Sequence, residues 1–170
     1  MDRSLIGQFL TPAVIAHFMS SMFEPTKGDI RVLDPGAGAG VLFAAFIETL
    51  MAKKTNLRSI EVVAYETDRL ILPHLEKTMK RCESLCKAVD VTFNGIIKTE
   101  DFLLSAINET SDAFFATPSK PFTHVIMNPP YRKINVKDET AKRLYASGIE
   151  VANLGTAVRW LKDQTATLKA

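Results

Sequence analysis

The sequence lacks several features that would set it apart from ordinary globular proteins. Its 170 residues include two cysteines and one tryptophan, and it has no internal repeat or low-complexity tract. The longest apolar run, residues 41–47, is far shorter than the roughly 18–20 residues that cross a bilayer. The first residues do not show the basic segment and apolar stretch of a secretory signal. We therefore expect a cytoplasmic protein without membrane spans.

A strong charge of one sign is also absent. The chain has 21 Lys and Arg against 19 Asp and Glu, a formal net charge of +2. Proteins that bind nucleic acid mainly by electrostatic attraction carry a larger basic excess, so that class is disfavoured. The hydrophobic share of 46% and charged share of 24% are close to globular averages. The length suits one domain with a packed core.

The two cysteines do not form a recognisable metal or redox motif. Cys82 and Cys86 are four residues apart in a helical pattern, which places them on one face of a helix. Two sulfur ligands are too few for a structural zinc site. We expect two ordinary reduced thiols and no metal.

Segments of helical and strand-like pattern alternate along the chain. Thr11 and Pro12 suit the N-cap and the first helical position of a helix over residues 12–23. This alternation predicts an α/β fold of three layers (α/β/α) around a mostly parallel sheet. The further predicted helices are 39–54, 68–87 with a bend or restart at Pro73, 101–108, 137–147 and 153–168; the predicted strands are 30–33, 60–65, 89–93 and 122–127, with a loop over 109–121.

A glycine-rich loop follows the first predicted strand. Gly36, Gly38 and Gly40 lie between a strand and a helix, where glycine permits positive φ and a close approach of a ligand to the backbone. The spacing differs from the dinucleotide pattern G-x-G-x-x-G, and no G-K-[S/T] follows, so a Walker-type phosphate loop is excluded. A tight turn without a ligand is the alternative.

Acidic residues follow the second and third predicted strands. Glu66 ends the second strand, where a carboxylate can accept hydrogen bonds from both ribose hydroxyls of a nucleoside. Asp101 could accept from an adenine amino group while Phe102 packs against the base. The alternatives are a solvated charge for Glu66 and a helix N-cap for Asp101.

The sequence Asn-Pro-Pro-Tyr follows the fourth predicted strand. Pro129 and Pro130 stiffen the backbone and lack N–H groups, which leaves carbonyl acceptors. Asn128 adds a side-chain acceptor, and Tyr131 adds a flat ring for stacking. Paired acceptors beside an aromatic ring suit an exocyclic amino group that donates two hydrogen bonds. Because strand ends meet at one edge of a parallel sheet, we expect all four motifs there.

These motifs together resemble the S-adenosylmethionine-dependent amino-methyltransferases of DNA. Asp34-Pro-Gly-Ala-Gly-Ala-Gly40 and Asn128-Pro-Pro-Tyr131 carry the resemblance, which extends over about residues 5–131. The preceding Gly7-Gln-Phe-Leu-Thr-Pro12 is similar to the N-terminal motif of the gamma-ordered adenine-N6 enzymes of restriction-modification systems.

The resemblance implies transfer of a methyl group from S-adenosyl-L-methionine to the N6 amine of a flipped-out adenine. It implies the Rossmann-like methyltransferase fold, in which Thr11 holds the methionine end of the cofactor and Glu66 the ribose. The implied catalytic residues are Asn128, Pro129, Pro130 and Tyr131; the implied cofactor-binding residues are Thr11, Pro12, Asp34, Pro35, Gly36, Ala37, Gly38, Gly40, Glu66, Thr67, Asp101 and Phe102.

Other functions share these motifs. Protein glutamine-N5 and RNA guanine-N2 methyltransferases also use Asn-Pro-Pro-Tyr in this order, and a non-catalytic cofactor-binding fragment is a third possibility. Basic residues after Tyr131 could contact phosphates or form a solvated helix face; these are Arg132, Lys133, Lys137, Lys142 and Arg143.

The number of strands predicts that the chain is part of a larger enzyme. Four strands are readable, whereas the implied fold has seven. We expect a helical segment over residues 1–29, an incomplete methyltransferase core over 30–170, and recognition of double-stranded DNA by a region outside the chain. An unpaired sheet edge predicts self-association or marginal stability.

Overall fold

The computed structural model describes residues 11–24, 26–53, 56–111, 120–128 and 142. The chain divides into two compact units, of which the larger contains described residues 11–99 and 122–128 with the gaps given above. The other contains described residues 100–111, 120–121 and 142. The helices predicted over 137–147 and 153–168 lie outside the described residues, apart from the single position 142.

The larger unit contains a parallel sheet of four strands in the order β3-β2-β1-β4. Strand β1 spans Gly28–Pro35, β2 Leu57–Tyr65, β3 Thr92–Lys98 and β4 His124–Val125. Strand β1 lies at the centre, where Val32 pairs with Val62 of β2 and with His124 of β4. Strands β2 and β3 extend the sheet on one side of β1, and β4 lies on the other side. The end of β1 is therefore at a topological switch point, the usual place for a ligand in such sheets.

Three helices of the larger unit form one layer. They are α1 (Ala13–Ser21), α2 (Val41–Ala52) and α3 (Leu72–Lys87). Helix α2 connects β1 to β2 and α3 connects β2 to β3, in the same direction across the sheet, so the right-handed crossover rule places both on one face. Helix α2 contacts α1 and α3, which agrees with that placement. The smaller unit contains α4 (Phe102–Ser111).

The core forms around β1 and β2 because these strands are apolar at consecutive positions. Val32 and Leu33 point to opposite faces of the sheet, and both are fully buried. The side chains of Phe43, Phe46 and Ile47 in α2 are at most 1% exposed. A parallel sheet buried on both faces, with helices connecting its strands, is typical of α/β proteins, so the predicted α/β class with a mostly parallel sheet is confirmed.

The N-terminal helix differs from its prediction in two respects. It begins at Ala13 with Pro12 as the N-cap, and no side chain caps it, so the expected N-cap role of Thr11 is wrong. Its buried residues are Ala16 and Ser20. Four large apolar side chains of this segment are exposed: Val14, Ile15, Phe18 and Met22.

Strand β3 starts later and runs further than predicted. It covers Thr92–Lys98 instead of residues 89–93, because Asn94 and Gly95, which resemble a turn, continue the ladder. A Cβ at Gly95 would lie 2.4 Å from Met79 Cγ of α3, so glycine is the residue that allows the helix to pack there. Helix α3 begins at Leu72 instead of residue 68, and Pro73 is its second residue, in the first turn where proline is tolerated.

Candidate functional site

The glycine loop after β1 adopts a backbone that glycine favours. Gly36, Gly38 and Gly40 have φ values of 80°, 56° and 79°, all in the left-handed region. The Gly36 and Ala37 N–H groups both donate to the carbonyl of Tyr65, at 3.0 and 2.8 Å. The loop is therefore attached to the carboxyl end of β2 before α2 begins.

Glu66 continues this attachment with its side chain. Its Oε2 accepts from the Gly38 N–H at 2.8 Å, and its Oε1 accepts from the Asp68 N–H at 2.7 Å. The residue is only 6% exposed, and its own N–H donates to the Lys98 carbonyl of β3 at 3.0 Å. The solvated charge considered from sequence is wrong, because Glu66 is a buried acceptor that joins the glycine loop to the ends of β2 and β3.

Asp34, the last residue but one of β1, is fully buried. Within the described part of the chain, neither carboxylate oxygen has a hydrogen bond of ordinary geometry. Burial raises the pKa of Asp34 from 3.8 to about 8, against a lowering effect of the Phe43 backbone amide and with a further rise from the nearby charge of Glu66. Asp34 is thus a neutral acid at pH 7, placed directly before the glycine loop.

Asn128 lies just after β4, on the other side of β1 from Glu66. The strand end is held by the Ile126 N–H, which donates to the Leu33 carbonyl at 3.0 Å. The Asn128 Nδ2 donates to Thr11 Oγ1 at 3.0 Å. This bond joins two predicted site residues that are 117 positions apart in the sequence.

The remaining predicted site residues fall into three groups. Asp101 and Phe102 lie in the smaller unit, where the Asp101 Oδ1 accepts from the Leu104 N–H at 3.1 Å, so Asp101 is an N-cap of α4. Thr67 is exposed, whereas Pro35 and Ala37 are buried. Pro129, Pro130 and Tyr131 lie outside the described residues, as do Arg132, Lys133, Lys137 and Arg143.

His17 and His124 contact other side chains, and the two cysteines are buried. His17 Nε2 is 3.5 Å from a Glu48 carboxylate oxygen, and His124 Nε2 is 3.1 Å from Thr26 Oγ1. Burial in α3 raises the pKa of Cys82 to about 12 and of Cys86 to about 11, as expected of unreactive thiols. Within the described residues, no cluster of His, Cys, Asp or Glu could hold a metal ion. No described helix has the length and apolar composition needed to cross a membrane.

The site has the features that a nucleoside cofactor with an amino-acid end requires. Its backbone approaches closely at three left-handed glycines, and the anchored Glu66 carboxylate keeps a second lone pair on each oxygen for hydroxyl donors. The fully buried Asp34 carboxyl adds acceptor capacity beside the loop. The residues present therefore fit S-adenosylmethionine.

Sequence reasoning located Asp68 at the end of the second strand but assigned it no role. Asp68 donates its N–H to Glu66, and its Oδ1 accepts from the Leu70 N–H at 2.9 Å. Aspartate commonly forms this turn with the N–H two residues later, so its position after the strand was the available signal.

Comparison with known proteins agrees with the fold and shows the family. A solved Listeria monocytogenes structure, assigned as a class I S-adenosylmethionine-dependent methyltransferase, matches 81% of this chain and 36% of its own, with a TM-score of 0.51 and 18% identity. This likeness shows a Rossmann-like α/β fold. The N-6 DNA Methylase family model matches residues 2–161, and the chain belongs to that family.

Two curated relatives are type II methyltransferases. M.BsuBI of Bacillus subtilis is 33% identical over 159 residues, which cover 92% of this chain and 30% of that protein. M.PstI of Providencia stuartii is 30% identical over 155 residues, with shares of 91% and 30%. The chain thus spans about a third of the length of these relatives.

Proposed function

We propose that this chain binds S-adenosylmethionine and supplies the catalytic residues that transfer its methyl group to the N6 amine of adenine in DNA. The observation that carries the proposal is the position of Asn128, the first residue of Asn-Pro-Pro-Tyr. It follows β4, which pairs with β1, the strand that precedes the glycine loop, and its side chain bonds to Thr11. Membership of the N-6 DNA Methylase family supports the choice of adenine N6 as the acceptor.

The residues at the ends of β1 and β2 would hold the cofactor. Glu66, fixed by two backbone N–H groups, would accept from the ribose hydroxyls. Gly36 and Gly38 would let the methionine portion approach the backbone, and Thr11 would bind its carboxylate end. When bound, S-adenosylmethionine supplies an electrophilic methyl group on a sulfonium sulfur.

Asn128 would act on the amine that receives the methyl group. Its carbonyl oxygen accepts a hydrogen bond from one N–H of the amine, and the Pro129 carbonyl would accept from the other. Two acceptors pull the nitrogen toward tetrahedral geometry, which makes its lone pair less delocalised into the ring. Most of the rate acceleration then comes from orienting that lone pair toward the methyl carbon.

The base must leave the duplex before it can reach Asn128, at a cost of a few kcal/mol. Stacking on Tyr131 would offset roughly 1–3 kcal/mol of that cost. The basic residues after Tyr131 would contact phosphates, which position the duplex without reading its sequence. Recognition of the DNA sequence would belong to a region that corresponds to the rest of the length of its relatives. The enzyme would act within a restriction-modification system.

The test uses the full-length protein that carries this chain, incubated with S-adenosylmethionine labelled in its methyl group and with DNA, transfer RNA or release-factor protein. We expect N6-methyladenine in the DNA digest by mass spectrometry, and no label in RNA or protein. Asn128→Ala should reduce the turnover number at least 100-fold while cofactor affinity changes less than threefold.

Two outcomes would overturn the proposal. Label in release-factor glutamine or in RNA guanine, without label in DNA, would indicate one of the two alternative methyltransferase activities. Full activity of Asn128→Ala would remove the catalytic assignment of this loop. The matched control is Asn94→Ala, a change of an exposed asparagine in β3 that contacts Glu61 and not the site.

Self-association is proposed for the isolated 170-residue chain. Within the described sheet, β3 and β4 form the two edges, and the β4 edge has only two residues in the ladder. Light scattering should show species larger than a monomer; a monodisperse, heat-stable monomer would contradict this expectation.

A further inference from the structure

We infer that Thr11 is a positioning residue that sets the orientation of the Asn128 amide, and through it the preference of the enzyme for a base that carries an exocyclic amine. The inference rests on the proposed function and adds to it a determinant of substrate specificity. It starts from the 3.0 Å hydrogen bond from Asn128 Nδ2 to Thr11 Oγ1.

The amide of Asn128 is useful to catalysis in only one of its two orientations. A carboxamide has a carbonyl acceptor on one side and an NH₂ donor on the other, and rotation by about 180° exchanges them. With Nδ2 on Thr11, the carbonyl oxygen lies on the opposite side, where it can accept from an amine N–H. After rotation, the NH₂ group would face that N–H, and two donors repel.

Thr11 is held firmly enough to select between these orientations. It precedes Pro12, which restricts the Thr11 backbone to extended conformations and has φ −59° itself. The Pro12 carbonyl accepts from the Ala16 N–H at 3.0 Å, and Ala16 is fully buried against the core. The Thr11 hydroxyl is therefore placed by the packed start of α1, and Asn128 by the pairing of β4 with β1.

The direction of the bond also orients the Thr11 proton. Because Oγ1 accepts from Asn128 with a lone pair, its own O–H is directed elsewhere and suits an anionic or carbonyl oxygen. A carboxylate that receives this proton would keep the hydroxyl an acceptor toward Asn128. Occupation of the cofactor site by a ligand with a carboxylate would thus strengthen the orientation that the target amine requires.

The experiment compares duplexes that carry adenine or unsubstituted purine at the methylated position, mapped first with the wild-type protein. Dissociation constants are measured for the full-length protein with saturating S-adenosylhomocysteine. The cost of extruding each base is the same for every variant, so the change in the adenine-to-purine ratio between variants reports on contacts to the amine.

Thr11→Val should reduce the preference for adenine by about 3- to 10-fold, the effect of one net hydrogen bond. Thr11→Ser keeps the hydroxyl and should stay within about twofold of wild type by the same reasoning. Thr26→Val, which removes a half-buried hydroxyl bonded to His124, should leave the ratio unchanged. Thr11→Ala replaces Thr11→Val if circular dichroism shows that the valine variant is unfolded.

A double variant tests whether the effect passes through Asn128. In the Asn128→Ala background, Thr11→Val should not change the ratio further; an additional loss would overturn the inference. An unchanged ratio in Thr11→Val, or an equal loss in Thr11→Ser, would also overturn it. Failure of the proposed function is distinguishable, because the wild-type protein would then transfer no methyl group to DNA.

Discussion

Replacement of Asp34 by asparagine should stabilise the ligand-free protein at neutral pH. The Asp34 carboxyl is fully buried at the end of β1, and burial raises its pKa to about 8, so the folded protein holds it as a neutral acid. In the unfolded chain the same group has a pKa near 3.8 and is ionised at pH 7. Ionisation therefore favours the unfolded state, and the neutral amide of the variant would remove that contribution without changing the size of the side chain.

The size of the effect follows from the two pKa values. Each pH unit between 3.8 and 8 costs about 1.4 kcal/mol of stability, because the folded state binds one proton more than the unfolded state in this interval. The cost at pH 7 is at most about 4 kcal/mol, and relaxation of the interior around a charge reduces it, so we expect about 2–4 kcal/mol. The sign is that wild-type stability falls as pH rises toward 8 and levels off above it.

Urea unfolding followed by circular dichroism at pH 5, 6, 7, 8 and 9 measures this directly. The stability difference between Asp34→Asn and wild type should grow with pH up to about 8 and then stay constant. Asp29→Asn provides the control, because it removes the same charge from an exposed position paired with Arg58. A variant that is less stable than wild type at every pH, or a difference that does not change with pH, would refute the reasoning.

Three further predictions concern the loop, its anchor and β4. Gly40→Ala should destabilise the protein by at least about 2 kcal/mol in urea, because φ is 79° and the added Cβ would lie 2.6 Å from the Phe43 ring; a loss below about 1 kcal/mol would contradict this. Glu66→Gln should weaken S-adenosylhomocysteine binding at least about tenfold by calorimetry, because an NH₂ group would face a backbone N–H donor; unchanged affinity would argue against the anchor. Burial lowers the pKa of His124, so stability should fall as pH drops below 6.5, and His124→Gln should remove that decline in thermal melts.

The fold was largely predictable from sequence because its central strands are rich in β-branched residues and are followed by turn residues. The sequence pattern located β1, β2 and the helices that follow them, and the observed ends differ from the predicted ends by a few residues. The third strand was misplaced because Asn94 and Gly95 have turn preferences, whereas both residues pair with β2 and Gly95 leaves room for Met79. Local propensity cannot reveal a contact that depends on a helix earlier in the chain.

The candidate site was predictable as a set of positions but not as a set of contacts. The glycines, Glu66 and Asn128 follow strands, and parallel strands bring their carboxyl ends together. The sequence did not indicate that Glu66 would accept from the Gly38 N–H, since the partner is a backbone group that nearly every residue has. Threonine is a common N-cap residue, but the Thr11 hydroxyl bonds to Asn128 instead, because β4 brings that residue beside the start of α1.

The two halves of the site are held in different ways, and this difference predicts how substitutions will separate stability from specificity. Glu66 accepts from the backbone on both oxygens and lies among the ends of β2 and β3, so damage to it also loosens the glycine loop. Asn128 is joined to Thr11 by a bond between half-buried side chains, and the pairing of β4 with β1 does not depend on that bond. Loss of the Thr11 hydroxyl should therefore change which base is accepted while costing only about 1 kcal/mol of stability, whereas changes at Glu66 should lower stability and cofactor affinity together.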